Sequence, residues 1–283
     1  MIQHRRFHRL VLMSAVLGVI FAQSSLALSA GENASKAGGG TLQSVVEKGA
    51  LRVGVSLFTP WTIRTKEGQL IGFEIDVAKQ LAKDLRVAPE FHVYEWDKII
   101  PALLNREIDI IVAGMTITPP RALKVNFSQP YATSGVGLAT NVAMTTHFAG
   151  PNDLNRSEVT ISAVTGTISE DLVRRLFPKA TIKTFPTSQE AIQALTAGKT
   201  HGYVEDEPIP TFAALDHPGL VDKPMSHALL STRSGFAVNK GDPDFISFLN
   251  AWIISHEADH WLQTSHKYWF ESLEWRMEQK ETR

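Results

Sequence analysis

Residues 114–121 read Gly114-Met115-Thr116-Ile117-Thr118-Pro119-Pro120-Arg121, directly after the apolar, β-branched run 108–113. Gly114 would let a ligand approach the backbone, and Thr116 offers a hydroxyl. Thr118 can cap a helix whose first positions are prolines, where missing N–H groups cost little. Arg121 can then turn back with a planar fork that matches a carboxylate. A second feature is Thr165-Gly166-Thr167-Ile168-Ser169-Glu170, which follows the run 159–164. Thr167 and Glu170 have capping-box spacing, so a helix starts there with free amides able to receive an anion. A third is Glu205-Asp206-Glu207-Pro208 after a β-like segment. A carboxylate at that strand end could hold an ammonium. A positive fork and a negative group meeting on one ligand suit an α-amino acid zwitterion. Each feature also has an ordinary reading: a solvated arginine, a plain capped helix, an acidic turn. Spacing alone leaves both open. Phe58, Trp61 and Trp96 fit either a core or the flat apolar wall of a cleft.

Other chemistry is sparse. The chain has no cysteine, so it offers neither a thiol nucleophile nor a disulfide nor a lipid-anchor cysteine. Its ten histidines are scattered. His256 and His260 have i,i+4 spacing but no evident third ligand, and neither a metal nor another cofactor is expected.

These residues need elements to hold them. Runs at 51–56, 69–73, 90–94 and 108–113 read as strands, with helices at 74–85 and 96–105 between them. Ile75, Val77, Ala78, Leu81, Ala82 and Leu85 give the first helix its apolar face. The same grammar recurs with strands at 159–164, 181–185 and 202–204 and helices at 169–176 and 188–197. Alternation of this kind implies two α/β units with parallel strands. The β-like runs 136–142 and 234–238 let the chain cross between the units twice and finish on the first.

The chain has 283 residues, 43% hydrophobic and 20% charged, with a net charge of −1. No basic stripe suggests nucleic acid. Arg5, Arg6 and Arg9, then an apolar run at 10–22, then Ser25, Ala27, Ser29 and Ala30 have the pattern of an export signal over residues 1–30. Its removal leaves a net charge of about −4. Residues 31–41 read as a flexible leader.

Taken in order, Gly72-Phe73-Glu74-Ile75-Asp76-Val77-Ala78, the stretch 113–121, Asn126-Phe127-Ser128-Gln129-Pro130-Tyr131, Thr165-Gly166-Thr167, Asp206-Glu207-Pro208 and Gly235-Phe236-Ala237-Val238-Asn239-Lys240-Gly241-Asp242 resemble family 3 of the periplasmic solute-binding proteins. These are the polar-amino-acid binders of ABC importers. The resemblance covers nearly all of residues 42–270. It implies an α/β, type II periplasmic-binding fold: two lobes joined by two hinge strands, with a cleft that closes on ligand. Residues 42–135 and 236–283 would form lobe 1 and 139–232 lobe 2, with hinges near 135–139 and 232–236. Carried over by position, Arg121 would bind the ligand carboxylate with Thr116 and the Gly114 backbone. Thr167 would complete that pocket, and Asp206 would take the amine. Phe58, Trp96 and Ile168 would stand around the ligand. The implied protein is a periplasmic monomer that delivers its ligand to an ABC permease and is not an enzyme. Two departures bear on the ligand. Ser56-Leu57-Phe58 stands where many members carry an acidic residue, which argues against lysine or arginine. Ile168 replaces a residue that is polar in several members, so the contact there is expected from backbone alone. The rivals are a cyclohexadienyl dehydratase, whose acid and active-site amide would fall at Ile209 and Ile168, and a ligand-sensing domain.

Overall fold

The computed structural model describes residues 40–272 and 274–276. The expected export signal, and the leader up to residue 39, lie outside the described residues.

The first half builds α1 (Thr41–Lys48), β1 (Ala50–Val55), a β2 (Ile63–Arg64)/β3 (Leu70–Ile71) hairpin, α2 (Phe73–Leu85), β4 (Ala88–Val93), α3 (Trp96–Leu104), β5 (Ile110–Ile111) and the single turn α4 (Pro119–Ala122). The long strand β6 (Asn126–Asn141) and short α5 (Val142–Thr145) lead to the second half. There β7 (Thr160–Val164), α6 (Ile168–Leu176), β8 (Thr181–Phe185), α7 (Ser188–Thr196), β9 (Gly202–Asp206), α8 (Ile209–Asp216) and β10 (Val221–Asp222) follow. The chain returns through β11 (Leu230–Val238) to α9 (Pro243–Ala258) and α10 (Trp261–Lys267).

The apolar spacing of α2 does what it predicts: every residue of that face is buried. Gly72 starts the helix at φ +129°, and a Cβ there would come 2.3 Å from the Trp61 carbonyl oxygen. The helix ends at Arg86 in the left-handed region, a common helix stop.

Strands line up as β4-β1-β5-β11-β6-β9-β7-β8. The order β4-β1-β5 is parallel, and so is β8-β7-β9. In each unit the chain leaves a central strand, β1 or β7, to one side and returns on the other. That reversal is a topological switch point, where a crevice opens beyond the carboxyl ends of the strands. Between the units lie β11 and β6, paired antiparallel with each other and with their flanking strands. Both run through the expected crossing segments.

Strand lengths differ from expectation at several places, two of which bear on the centre of the sheet. Only Ile110 and Ile111 of the run 108–113 sit in the strand ladder. The run still continues the pairing, since the Asp109 N–H donates to Arg52 O and the Val112 N–H to Gly54 O. Conversely, β6 begins ten residues before the expected crossing segment, at Asn126. Pro130 falls at a register shift opposite Gly235, where β6 tolerates a residue without an N–H.

The largest core cluster lies under the first unit and holds Trp61, Phe73, Tyr131, Phe236, Trp252, Trp269 and Trp275. Arg52 grips Asp109 with two side-chain hydrogen bonds at 2.6 and 3.1 Å, fixing β1 against β5. His256 is engaged by Asp84 and Asp259, tying α9 to α2. Among the described residues no group of three or more His, Cys, Asp or Glu could hold a metal ion. No helix among them is long and apolar enough to cross a membrane.

Candidate functional site

A cavity of about 140 Å³ lies beyond the carboxyl ends of the two parallel units. From the first unit it takes Phe58, Trp96, Gly114, Thr116 and Arg121. From the second come Thr167, Ile168 and Asp206. All eight candidate residues thus line one space, although more than 140 positions of sequence separate the first from the last.

The positive side is built by a short capped turn. Thr118 Oγ1 accepts the Arg121 N–H, starting α4 with Pro119 and Pro120 at its head. That folds Arg121 back until its Nη1 donates to Thr116 O at 3.0 Å. Its Cζ stands 5.3 Å from the centre of the Trp96 ring, a cation–π distance. Nε and Nη2 make no hydrogen bond among the described residues and remain for a ligand. Burial lowers the Arg121 pKa, and the Asp206 and Asp171 carboxylates oppose that shift. Gly114 sits at φ +60°, which residues with a side chain rarely adopt, and a Cβ there would press to 3.0 Å from the Trp61 ring. Its carbonyl accepts from Ser234 Oγ at 2.9 Å, which ties the turn to β11.

On the second unit, Thr167 Oγ1 accepts the Glu170 N–H at 3.3 Å and donates to Val164 O at 2.8 Å. The reciprocal half of the expected capping box lands one residue early: Glu170 Oε2 accepts from Gly166 N–H, at 2.9 Å. The Thr167 hydroxyl is therefore committed to the helix start. What the α6 terminus can offer an anion is backbone N–H.

Asp206 ends β9, opposite Val136 of β6. Its Oδ1 is buried and has no hydrogen-bond partner among the described residues. A buried, unpaired carboxylate oxygen is costly. Burial raises the Asp206 pKa, Arg121 pulls it back down, and Glu207 pushes it up. An incoming ammonium would supply the missing partner.

Sequence reasoning missed Glu205. It is fully buried at the cavity floor and accepts from Ser169 Oγ, the Asp206 N–H and Tyr203 Oη. Burial, then the adjacent Asp206 charge, raises its pKa. An acidic residue inside the buried strand 202–206 was the available signal, because such a group must be satisfied locally. Trp96 also joins the two units directly: its indole N–H donates to Gly166 O at 3.2 Å.

A family model described as bacterial extracellular solute-binding proteins, family 3, matches residues 51–272. The chain belongs to that family. Within it, the L-cystine-binding protein of Escherichia coli is 29% identical over 261 residues, covering 90% of this chain and 94% of the relative. The ABC transporter glutamine-binding protein of Bacillus subtilis is 28% identical over 94% of this chain and 97% of its own. Among solved structures, an ancestral amino acid-binding protein, a precursor of cyclohexadienyl dehydratase, is 35% identical with a TM-score of 0.76. It covers 82% of this chain and 100% of that one. A Wolinella succinogenes structure complexed with lysine is 32% identical with a TM-score of 0.75, covering 81% and 99%. The fold is accordingly the type II periplasmic-binding fold of this family, with two α/β lobes and two hinge strands.

Proposed function

We propose that this family 3 protein captures an amino acid, or a similar small carboxylate bearing an amine, by cleft closure and delivers it to an ABC permease outside the cytoplasmic membrane. One observation carries the reading: Arg121 and the unpaired Asp206 oxygen line the same cavity from opposite units. Arg121 takes the carboxylate with Thr116, and Gly114, whose own N–H bonds to Glu74, lets the ligand approach the backbone. The α6 amides after Thr167 complete that grip. Asp206 takes the ammonium, and Phe58, Trp96 and Ile168 wall the ligand. Residues 42–135 and the described residues from 236 onward form lobe 1, 139–232 lobe 2, and β6 and β11 bend near 135–139 and 232–236. The protein acts as a monomer in the periplasm after loss of residues 1–30. We read it as a binding protein rather than an enzyme: isoleucine, which transfers no proton, stands at positions 168 and 209, where the active-site amide and acid of a dehydratase would fall. Ile209 is moreover buried in an apolar cluster beside Tyr203.

Isothermal titration of the purified protein with the common L-amino acids and small carboxylates tests this. Arg121→Ala and Asp206→Asn should each weaken amino-acid binding by about 100-fold, the value of a charge-assisted hydrogen-bonded contact. The reading fails if a carboxylate lacking an amine binds as tightly as any amino acid, or if Asp206→Asn binds like the wild type.

A further inference from the structure

The strand order places the two charged anchors close to the middle of the molecule. Arg121 and Thr116 follow β5, and Asp206 ends β9, the strands of each parallel unit nearest β11 and β6. A zwitterion held there has its side chain directed toward the ends of β1, β4 and β8. Those ends contribute Ser56, Phe58, Val93, Tyr94, Pro186 and Thr187 to the lining. From this we infer that the cavity selects an α-amino acid with a compact, uncharged side chain, an inference that rests on the zwitterion reading above.

Two observations carry it. The first is charge. Besides Arg121 and Asp206, the ionisable acids and bases of the lining are Glu95 and Glu205. Glu95 is exposed to solvent at the rim. Glu205 has its oxygens taken by Ser169, Tyr203 and the Asp206 amide, and burial raises its pKa. No buried lining carboxylate besides Asp206 is therefore free to neutralise an ammonium or guanidinium, and no second cation waits for a side-chain carboxylate. An unpaired charge in such a space is strongly disfavoured. The second is size. The volume of about 140 Å³ is close to the roughly 150 Å³ engineered cavity that holds benzene. Alanine, serine, threonine and valine are of that scale; lysine and arginine exceed it. The cavity shares Trp96, Thr116, Arg121 and Ile168 with a wider groove on the carboxylate side, and Leu57, Phe58, Thr187 and Ser188 with another beyond β1.

Titration calorimetry with alanine, serine, threonine and valine against lysine, arginine and glutamate decides the matter. At least one compact neutral amino acid should bind about 100-fold tighter than any of the three charged ones. Lysine, arginine or glutamate binding as tightly as the best neutral ligand overturns the inference while leaving zwitterion capture intact. Binding of no amino acid, or equal binding of a carboxylate without an amine, overturns the zwitterion reading itself. Ser56→Asp then places a carboxylate at the half-buried end of β1. It should raise the lysine-to-serine affinity ratio by about tenfold; an unchanged ratio shows that this wall does not set the preference.

Discussion

Glu74 stands in the first turn of α2 with no exposure to solvent. Tyr131 Oη lies 2.9 and 2.8 Å from its two oxygens, and the Gly114 N–H also bonds to it. It thus links α2 to the turn that carries the cleft residues. Burial pushes its pKa from 4.5 up to about 8, against the hydrogen bonds from Tyr131 and Gly114. The folded protein therefore holds a proton there that the unfolded chain has lost. Stability from this group is fully present below pH 4.5 and declines as pH rises toward 8. At pH 7 the loss is about 3 kcal/mol, at about 1.4 kcal/mol per pH unit. Glu74→Gln keeps the shape and the bonding of the neutral carboxyl but cannot ionise. In urea unfolding at several pH values, the variant should gain on the wild type by about 1.4 kcal/mol per pH unit between 5 and 8. Every other titrating group cancels in that difference. A difference that stays flat, or that shrinks with rising pH, refutes the assignment of a buried neutral carboxyl.

Two further outcomes follow from the site and its surroundings. Asp206 is raised by burial in the free protein, whereas a bound ammonium favours its ionised form, so capture releases a proton. Affinity should then fall on acidification through the raised free-state pKa, by at most about tenfold per pH unit; dissociation constants measured from pH 5 to 8 that are flat, or that improve toward acid, exclude this. Arg276 reaches both oxygens of Asp216 on α8 at 2.7 Å and lies 4.3 Å from the Phe212 ring, while the adjacent Trp275 is buried against Trp269. This end of the chain straps the segment after α10 to α8, so Arg276→Ala should weaken ligand binding by about fivefold through a less favoured closed form; unchanged affinity removes the strap from the closure.

The cleft was more legible than the scaffold. Arg121, Thr118 and the two prolines are a local device, and local chemistry survives in a single sequence. So is Thr167, whose cap formed at the expected residue even though Glu170 reached back to Gly166. The long β6 was not legible before residue 136, because its first half pairs with β11 about a hundred positions away and contains Pro130. The apolar helix α8 was missed for the opposite reason: Ile209, Pro210, Phe212 and Ala213 are buried on more than one face, so no helical stripe remains to be seen. Glu74 and Glu205 escaped because a glutamate reads as surface until its partners are placed, and Tyr131, Ser169 and Tyr203 are supplied by other elements.

Closure in this arrangement depends on how the two ligand charges are shared. In the proposed binding mode the carboxylate would be held by Arg121 from the first unit and by the α6 amides from the second, and the ammonium by Asp206 from the second. A ligand with both groups gains contacts across the cleft that the open form lacks, and only such differential contacts can shift the closure equilibrium. The Trp96–Gly166 bond also joins the units. It is a single neutral hydrogen bond, worth about 1 kcal/mol, too little to hold the cleft shut alone. An analogue stripped of its amine keeps the Arg121 contact but leaves the buried Asp206 oxygen unpaired in the closed form. Under the proposed binding mode such a molecule would occupy the first unit while disfavouring closure, so the same two side chains would decide both what is captured and whether the closed form is reached.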